Sequence, residues 1–202
     1  MKPWGKILVG SLAVIIIAVW MLGAQNITGL VLNQFEVTAF RVAGTTLYME
    51  GEINSKTLGQ FEEIIAAHPD ISLLVEGVVP GSMDDDTMIA LAYRVRELGI
   101  STHLGANSEI YSGGVDLFLA GVNRTMEQGA KIGVHSWSDP FKDAKDYPRS
   151  SPEHKQNRKY IEDMLGDDAF YWFTIYAAPG DGMKLMSDEE IMEYGLLTQF
   201  IQ

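Results

Sequence analysis

The chain has 202 residues, no cysteine and a formal net charge of −12. Its length suits one domain of ordinary size plus a short appendage, and 47% hydrophobic with 21% charged residues marks a folded chain, not a disordered one. The acidic balance, with no cluster of Lys or Arg, excludes a nucleic-acid partner, and the missing cysteines exclude disulfides, thiolate catalysis and cysteine-bound metals.

Lys2 and Lys6 precede an uncharged run from Ile7 to Ala24. At ~1.5 Å per residue it reaches ~27 Å, close to the ~30 Å hydrocarbon core of a bilayer. Residues 1–24 therefore read as an N-terminal hydrophobic helix, either a membrane anchor or a signal peptide removed near Leu22-Gly23-Ala24. The two lysines put the N-terminus inside. The expected location is the bacterial-type inner membrane, single-pass and facing the periplasm or exterior, or a secreted form if the segment is removed. Residues 25–43 read as a connector into a first strand, and 44–202 as the folded domain.

From Thr45 strands and helices alternate. Thr46 to Glu50 has strand periodicity, and Ser55 is placed to cap a helix through Ala67, ended by His68-Pro69. Leu73-Leu74-Val75 is a short apolar run of the kind buried on both faces. After the turn Pro80-Gly81-Ser82, the acids Asp84, Asp85 and Asp86 open a helix whose positive end they suit, which accounts for them without a metal. Met88, Leu91, Ala92, Val95 and Leu98 recur at helical spacing, and Gly99 stops the helix. Ser101 to Leu104 is another strand. Asn123 to Trp137 reads as two strands broken at Glu127-Gln128-Gly129. Residues 138–153, with three prolines, form an exposed loop. Helices follow over 153–165 and 168–178, the second capped by Asp167 and dense in aromatic residues suited to a core or subunit contact. Ser187-Asp188-Glu189-Glu190 begins a last helix with a capping box, and Leu196-Leu197 starts a closing strand.

One stretch carries chemistry. In Glu109-Ile110-Tyr111-Ser112-Gly113-Gly114-Val115-Asp116, a serine stands between a strand-like approach and an apolar helical run. The Gly113 N–H and the helix N-terminus favour negative charge developing on a carbonyl oxygen. His135, at the end of an apolar strand in the run Lys131 to Trp137, is placed to act as general base. Alone, Ser112 would be an ordinary N-cap and His135 an ordinary core histidine; their combination makes them candidates. His68, His103 and His154 read as structural or solvated.

Four segments in this order resemble the Clp protease catalytic subunit and, more loosely, the signal peptide peptidase A group of the crotonase-like superfamily. Pro80-Gly81-Ser82 stands at the family's oxyanion turn, Ser112-Gly113-Gly114 at the nucleophile and Val134-His135 at the histidine. Met186 to Leu197 matches the family's Met-Ser-x-Glu-Glu stretch, closing on Tyr194-Gly195-Leu196. The resemblance spans Tyr48 to Thr198. It implies an α/β spiral of repeated β-β-α units and a serine endopeptidase-like hydrolase. Ser112 would be the nucleophile, His135 the base, and Gly81 and Gly113 the oxyanion hole. The substrate would be a polypeptide, with no metal or other cofactor, and a homo-oligomer is compatible with it. Ser82 replaces a family glycine, and the family's acid falls at Pro179, leaving Asp181 as the nearest carboxylate. Asp116, one helical turn from Ser112, is the competitor. A catalytically silent scaffold or binding protein, and a crotonase-like acyl-CoA enzyme, are the alternatives.

Overall fold

A computed structural model describes residues 38–139, 141–199 and 201. Among the described residues, no helix is long and apolar enough to cross a membrane. The hydrophobic helix expected at 1–24 lies outside them. The transmembrane assignment, the membrane as a partner and the inner-membrane or periplasmic location are therefore corrected: no described helix supports them.

The first described elements are an antiparallel hairpin, β1 (Ala39–Ala43) and β2 (Thr46–Glu50), turning at Gly44 with φ 60°. β1 lies inside the stretch read as a connector, so the sheet begins at Ala39. Leu47 and Met49 alternate inward from β2, the period-2 pattern of a half-buried strand. α1 (Thr57–Ala67) crosses over to β3 (Leu73–Val79), parallel to β2. Its entry is built by Asn54 and not by Ser55: the Asn54 Oδ1 accepts from the Lys56 N–H at 2.9 Å. α2 (Asp85–Glu97) opens on Asp84, whose carboxylate accepts from the Thr87 N–H at 3.0 Å.

β4 (Ser101–Tyr111) runs well past Leu104, where the sequence suggested a stop. Its first half pairs in parallel with β5 (Arg124–Met126) and its last residues with β6 (Lys131–Val134). A bulge between Glu76 and Val78 lets β3 follow it. The sheet has the order β1-β2-β3-β4-β6-β7, with β5 beside β4, and β7 (Lys184–Leu185) closes it antiparallel to β6. Between β4 and β5 lies α3 (Gly113–Leu119). After β6 come α4 (Lys155–Leu165), α5 (Ala169–Ala177) and, past β7, α6 (Asp188–Glu193). The result is an α/β spiral of alternating strand and helix units around a core including Leu74, Leu104, Phe61 and Phe118.

The capping box at Ser187 forms with Glu190. The expected strand at Leu196-Leu197 does not. Both leucines are buried in coil, and the buried Arg124 guanidinium donates instead to the Leu196 carbonyl at 2.6 Å and the Gly195 carbonyl at 3.1 Å. Side-chain donors satisfy the carbonyls that a neighbouring strand would have taken.

Glu76 is fully buried on β3, and neither carboxyl oxygen has a hydrogen-bond partner. Burial pushes its pKa well above the usual carboxylate range. A buried polar group without a partner costs about 1–3 kcal/mol. Glu76→Met, which keeps the volume and removes the polar atoms, should therefore raise stability to urea at neutral pH. A lowered unfolding midpoint would show that Glu76 has a partner in solution.

Candidate active site

The parallel register pairs Tyr111 with Gly133, so Ser112 and His135 leave the carboxyl ends of neighbouring strands. Ligands in parallel α/β sheets bind at that edge. The Ser112 N–H donates to the Gly133 carbonyl at 3.0 Å, tying the serine turn to β6. Ser112 has φ 51° and ψ −123°, and among the described residues no other non-glycine has positive φ. Its side chain makes no capping bond to α3. The serine that reads as a commonplace N-cap is not used as one.

Gly81 packs directly behind it. With φ 147°, Gly81 holds a conformation that favours glycine, and a β-carbon there would lie 3.4 Å from the Ser112 Cβ and 3.9 Å from the Gly113 nitrogen. A β-carbon on Gly113 would meet the Ser82 Cβ at 2.5 Å. The close approach of the two turns requires a glycine at 113, while Gly81 is required by its backbone conformation. Ile53 pins the first turn: its N–H donates to the Gly81 carbonyl at 2.9 Å, and its carbonyl accepts from the Met83 N–H at 2.8 Å. Gly113 is the first residue of α3, so its N–H has no acceptor within the helix.

Ser112, Gly113 and His135 line one cavity of about 60 Å³ with Asp85, Asp116, Asn157 and Tyr171. The His135 Nδ1 lies 2.9 Å from the Ser136 carbonyl. That acceptor selects the tautomer with Nδ1–H, leaving the Nε2 lone pair free. Among the described residues no hydrogen bond joins His135 to Ser112 or to a carboxylate. Asp181 is exposed in the turn before β7 and does not line the cavity. Asp116 does line it, and its carboxyl is pushed up to about 7, first by withdrawal from water and then by the charge of Asp85.

The raised value has a stability consequence. Folding holds the Asp116 proton, so this group's contribution to stability declines as pH rises from about 4 through about 7. At about 1.4 kcal/mol per unit the ceiling is ~4 kcal/mol, reduced by water in the cavity. Asp116→Asn should therefore be more stable than the parent at pH 8, with the advantage shrinking toward pH 4. Thermal melts across that range check it; a constant difference would contradict it.

The cavity wall comes from residues the sequence did not single out. The Trp137 Nε1–H donates to the Tyr171 hydroxyl at 3.1 Å, and that hydroxyl lies 2.7 Å from Nδ1 of the buried His154. The Thr174 hydroxyl donates to the Tyr171 carbonyl at 2.8 Å. His154 is structural and buried, packed against Trp172 with ring centroids 4.9 Å apart. Aromatic spacing along α5 signalled a packed helix, but not that Tyr171 and Thr174 would face Ser112.

No protein-family model matches the chain, and no curated protein matches it in sequence. Solved structures do match. The membrane-bound stomatin-specific protease 1510-N, as a mutant in complex with a substrate peptide, aligns over 75% of this chain and 71% of its own. The identity is 19% and the TM-score 0.52. An enoyl-CoA hydratase from Thermoplasma volcanium aligns over 83% of this chain and 73% of its own, at 14% identity and TM-score 0.51. One from Bacillus anthracis covers 82% and 69%, again at 14% and 0.51. At such identities the likeness establishes the fold alone: this is an α/β spiral of the crotonase-like kind.

Proposed function

We propose that the chain is an enzyme acting on an acyl carbonyl held at Ser112, and in its finer form a serine hydrolase cleaving peptide-type bonds. The observation that carries this reading is the backbone of Ser112. A non-glycine residue in such a conformation costs about 1–3 kcal/mol and persists where surrounding structure imposes it, often at sites of chemistry. Ser112 makes no capping bond to α3 and lines the cavity that His135 also lines. His135 Nε2 would take the Ser112 proton as Oγ attacks, while the Gly113 and Gly81 amides receive the oxyanion. The Ser136 carbonyl would orient His135, a role for which Asp181 was the nearest carboxylate to the family's position. The pair would work as a Ser–His dyad.

A second reading uses the same amides without a covalent step. Asp116, with its carboxyl at about 7, would exchange a proton with a bound acyl thioester. The enoyl-CoA hydratases among the structural neighbours support it at the level of fold. A fluorophosphonate probe separates the two. Labelling traced to Ser112 is expected from the hydrolase. Binding of an acyl-CoA thioester without labelling would favour the second reading, and neither result would leave a silent binding fold.

A further inference from the structure

The cavity beside Ser112 has room for a few heavy atoms and not for a run of polypeptide. Its volume is about 60 Å³, where ~10–15 Å³ admits one water and an engineered cavity of ~150 Å³ admits benzene. The buried side chains of Ile161, Phe170 and Tyr171 close it toward the interior. A substrate whose carbonyl reaches Ser112 can therefore place only a short group in it.

The chemistry of the wall says which group. The Tyr171 and Thr174 hydroxyls are already engaged. Among the described residues the Asp116 carboxyl has no hydrogen bond, yet it lines the cavity. Among the described residues the carboxylates around it are those of Asp85 and Asp116, and no Lys or Arg lines it. Asp116 also stands one turn along α3 from Ser112, its N–H 3.3 Å from the Ser112 carbonyl. Both residues line the one small cavity. An amino group on the carbon next to a carbonyl lies about 2.5 Å from the carbonyl carbon. A carbonyl at Ser112 therefore carries that amino group into the cavity that Asp116 also lines.

We infer that Asp116 binds a free α-ammonium group, so that the substrates are aminoacyl donors with a small side chain, taken from an unblocked amino end. This rests on the reading of Ser112 as nucleophile. The Ser112 Oγ–carbon bond forms, the bond to the leaving group breaks, and the proton accepted by His135 passes to that leaving group. Water then releases the amino acid by the reverse sequence. Acylating the nitrogen would remove the charge that Asp116 binds, which makes this an exo-acting site. A cationic group also suits a pocket whose acids would repel a carboxylate or phosphate.

The test is reversible inhibition by the boronic acid analogue of alanine, with its amine free or N-acetylated, at about pH 7.5, where the ammonium is charged. Both forms bond to the serine, so their ratio isolates the amine. The free amine should bind about ten- to a hundredfold tighter, as for a charge-assisted hydrogen bond. Asp116→Asn should bring the ratio below about threefold. Equal binding of the two forms by the parent enzyme, or a preference for the acetylated one, overturns the inference whether or not the variant folds. So does full preference surviving in Asp116→Asn. With fluorophosphonate labelling of Ser112 intact, those outcomes leave the hydrolase reading standing. Absence of both labelling and boronate binding removes the hydrolase reading and this inference together.

Discussion

Ser112→Ala should abolish fluorophosphonate labelling and lower hydrolysis by at least about 10³-fold, with the melting temperature within a few degrees of the parent. The two halves of that expectation have separate grounds. The hydroxyl makes no capping bond to α3, so removing it takes nothing from the fold. The backbone at φ 51° is held from outside, by the Ser112 N–H bond to the Gly133 carbonyl at 3.0 Å and by the neighbouring Gly81 turn. Alanine inherits the conformation without the nucleophile. Under the acyl-thioester reading the same variant would keep its activity, so steady-state rates on esters and thioesters distinguish the two.

Gly113→Ala should cost both activity and stability. Its β-carbon would sit 2.5 Å from the Ser82 Cβ and 3.1 Å from the Ser82 nitrogen, in a fully packed place. Relief requires moving the Pro80-Gly81-Ser82 turn, which carries one of the two proposed oxyanion amides. Overpacking of this kind costs about 1–3 kcal/mol, and loss of one oxyanion donor lowers kcat by about 10²–10³. Gly59 is the control, since a β-carbon there meets nothing within 4 Å. Gly59→Ala lies inside α1 and should be neutral or stabilising by up to about 1 kcal/mol. Chemical denaturation and initial rates on the two variants check the contrast. If Gly113→Ala keeps full activity and stability, the close contact with Ser82 does not set the geometry of the site.

Elements set by local rules were legible in the sequence. β2 shows its alternation, Asp84-Asp85-Asp86 marks the start of α2, and the Ser187 box marks α6. The meeting of Ser112 and His135 was also legible, because each ends an apolar run and adjacent parallel strands deliver their ends to one edge. What depends on distant partners was not. β4 continues through Gly105-Ala106-Asn107-Ser108, past the end expected at Leu104, because β3 supports it on one side while β5 and β6 succeed each other on the other. β1 lacks a strong pattern of its own and forms through its partner β2. The closing strand fails because Arg124 takes its carbonyls. Asn157, Tyr171 and Thr174 reach the cavity through the packing of α4 and α5, which spacing along the chain does not reveal. Asp181 was assigned by its distance from a motif, and such a distance does not orient a loop side chain.

The central claim is that Gly81 and Gly113 together hold an acyl oxygen beside Ser112. A crystal structure of the protein after reaction with a small fluorophosphonate tests it most directly. The account predicts phosphorus bonded to the Ser112 Oγ, with one phosphoryl oxygen about 2.7–3.1 Å from both amide nitrogens. Phosphorus on another residue, or that oxygen turned away from the two amides, would contradict it.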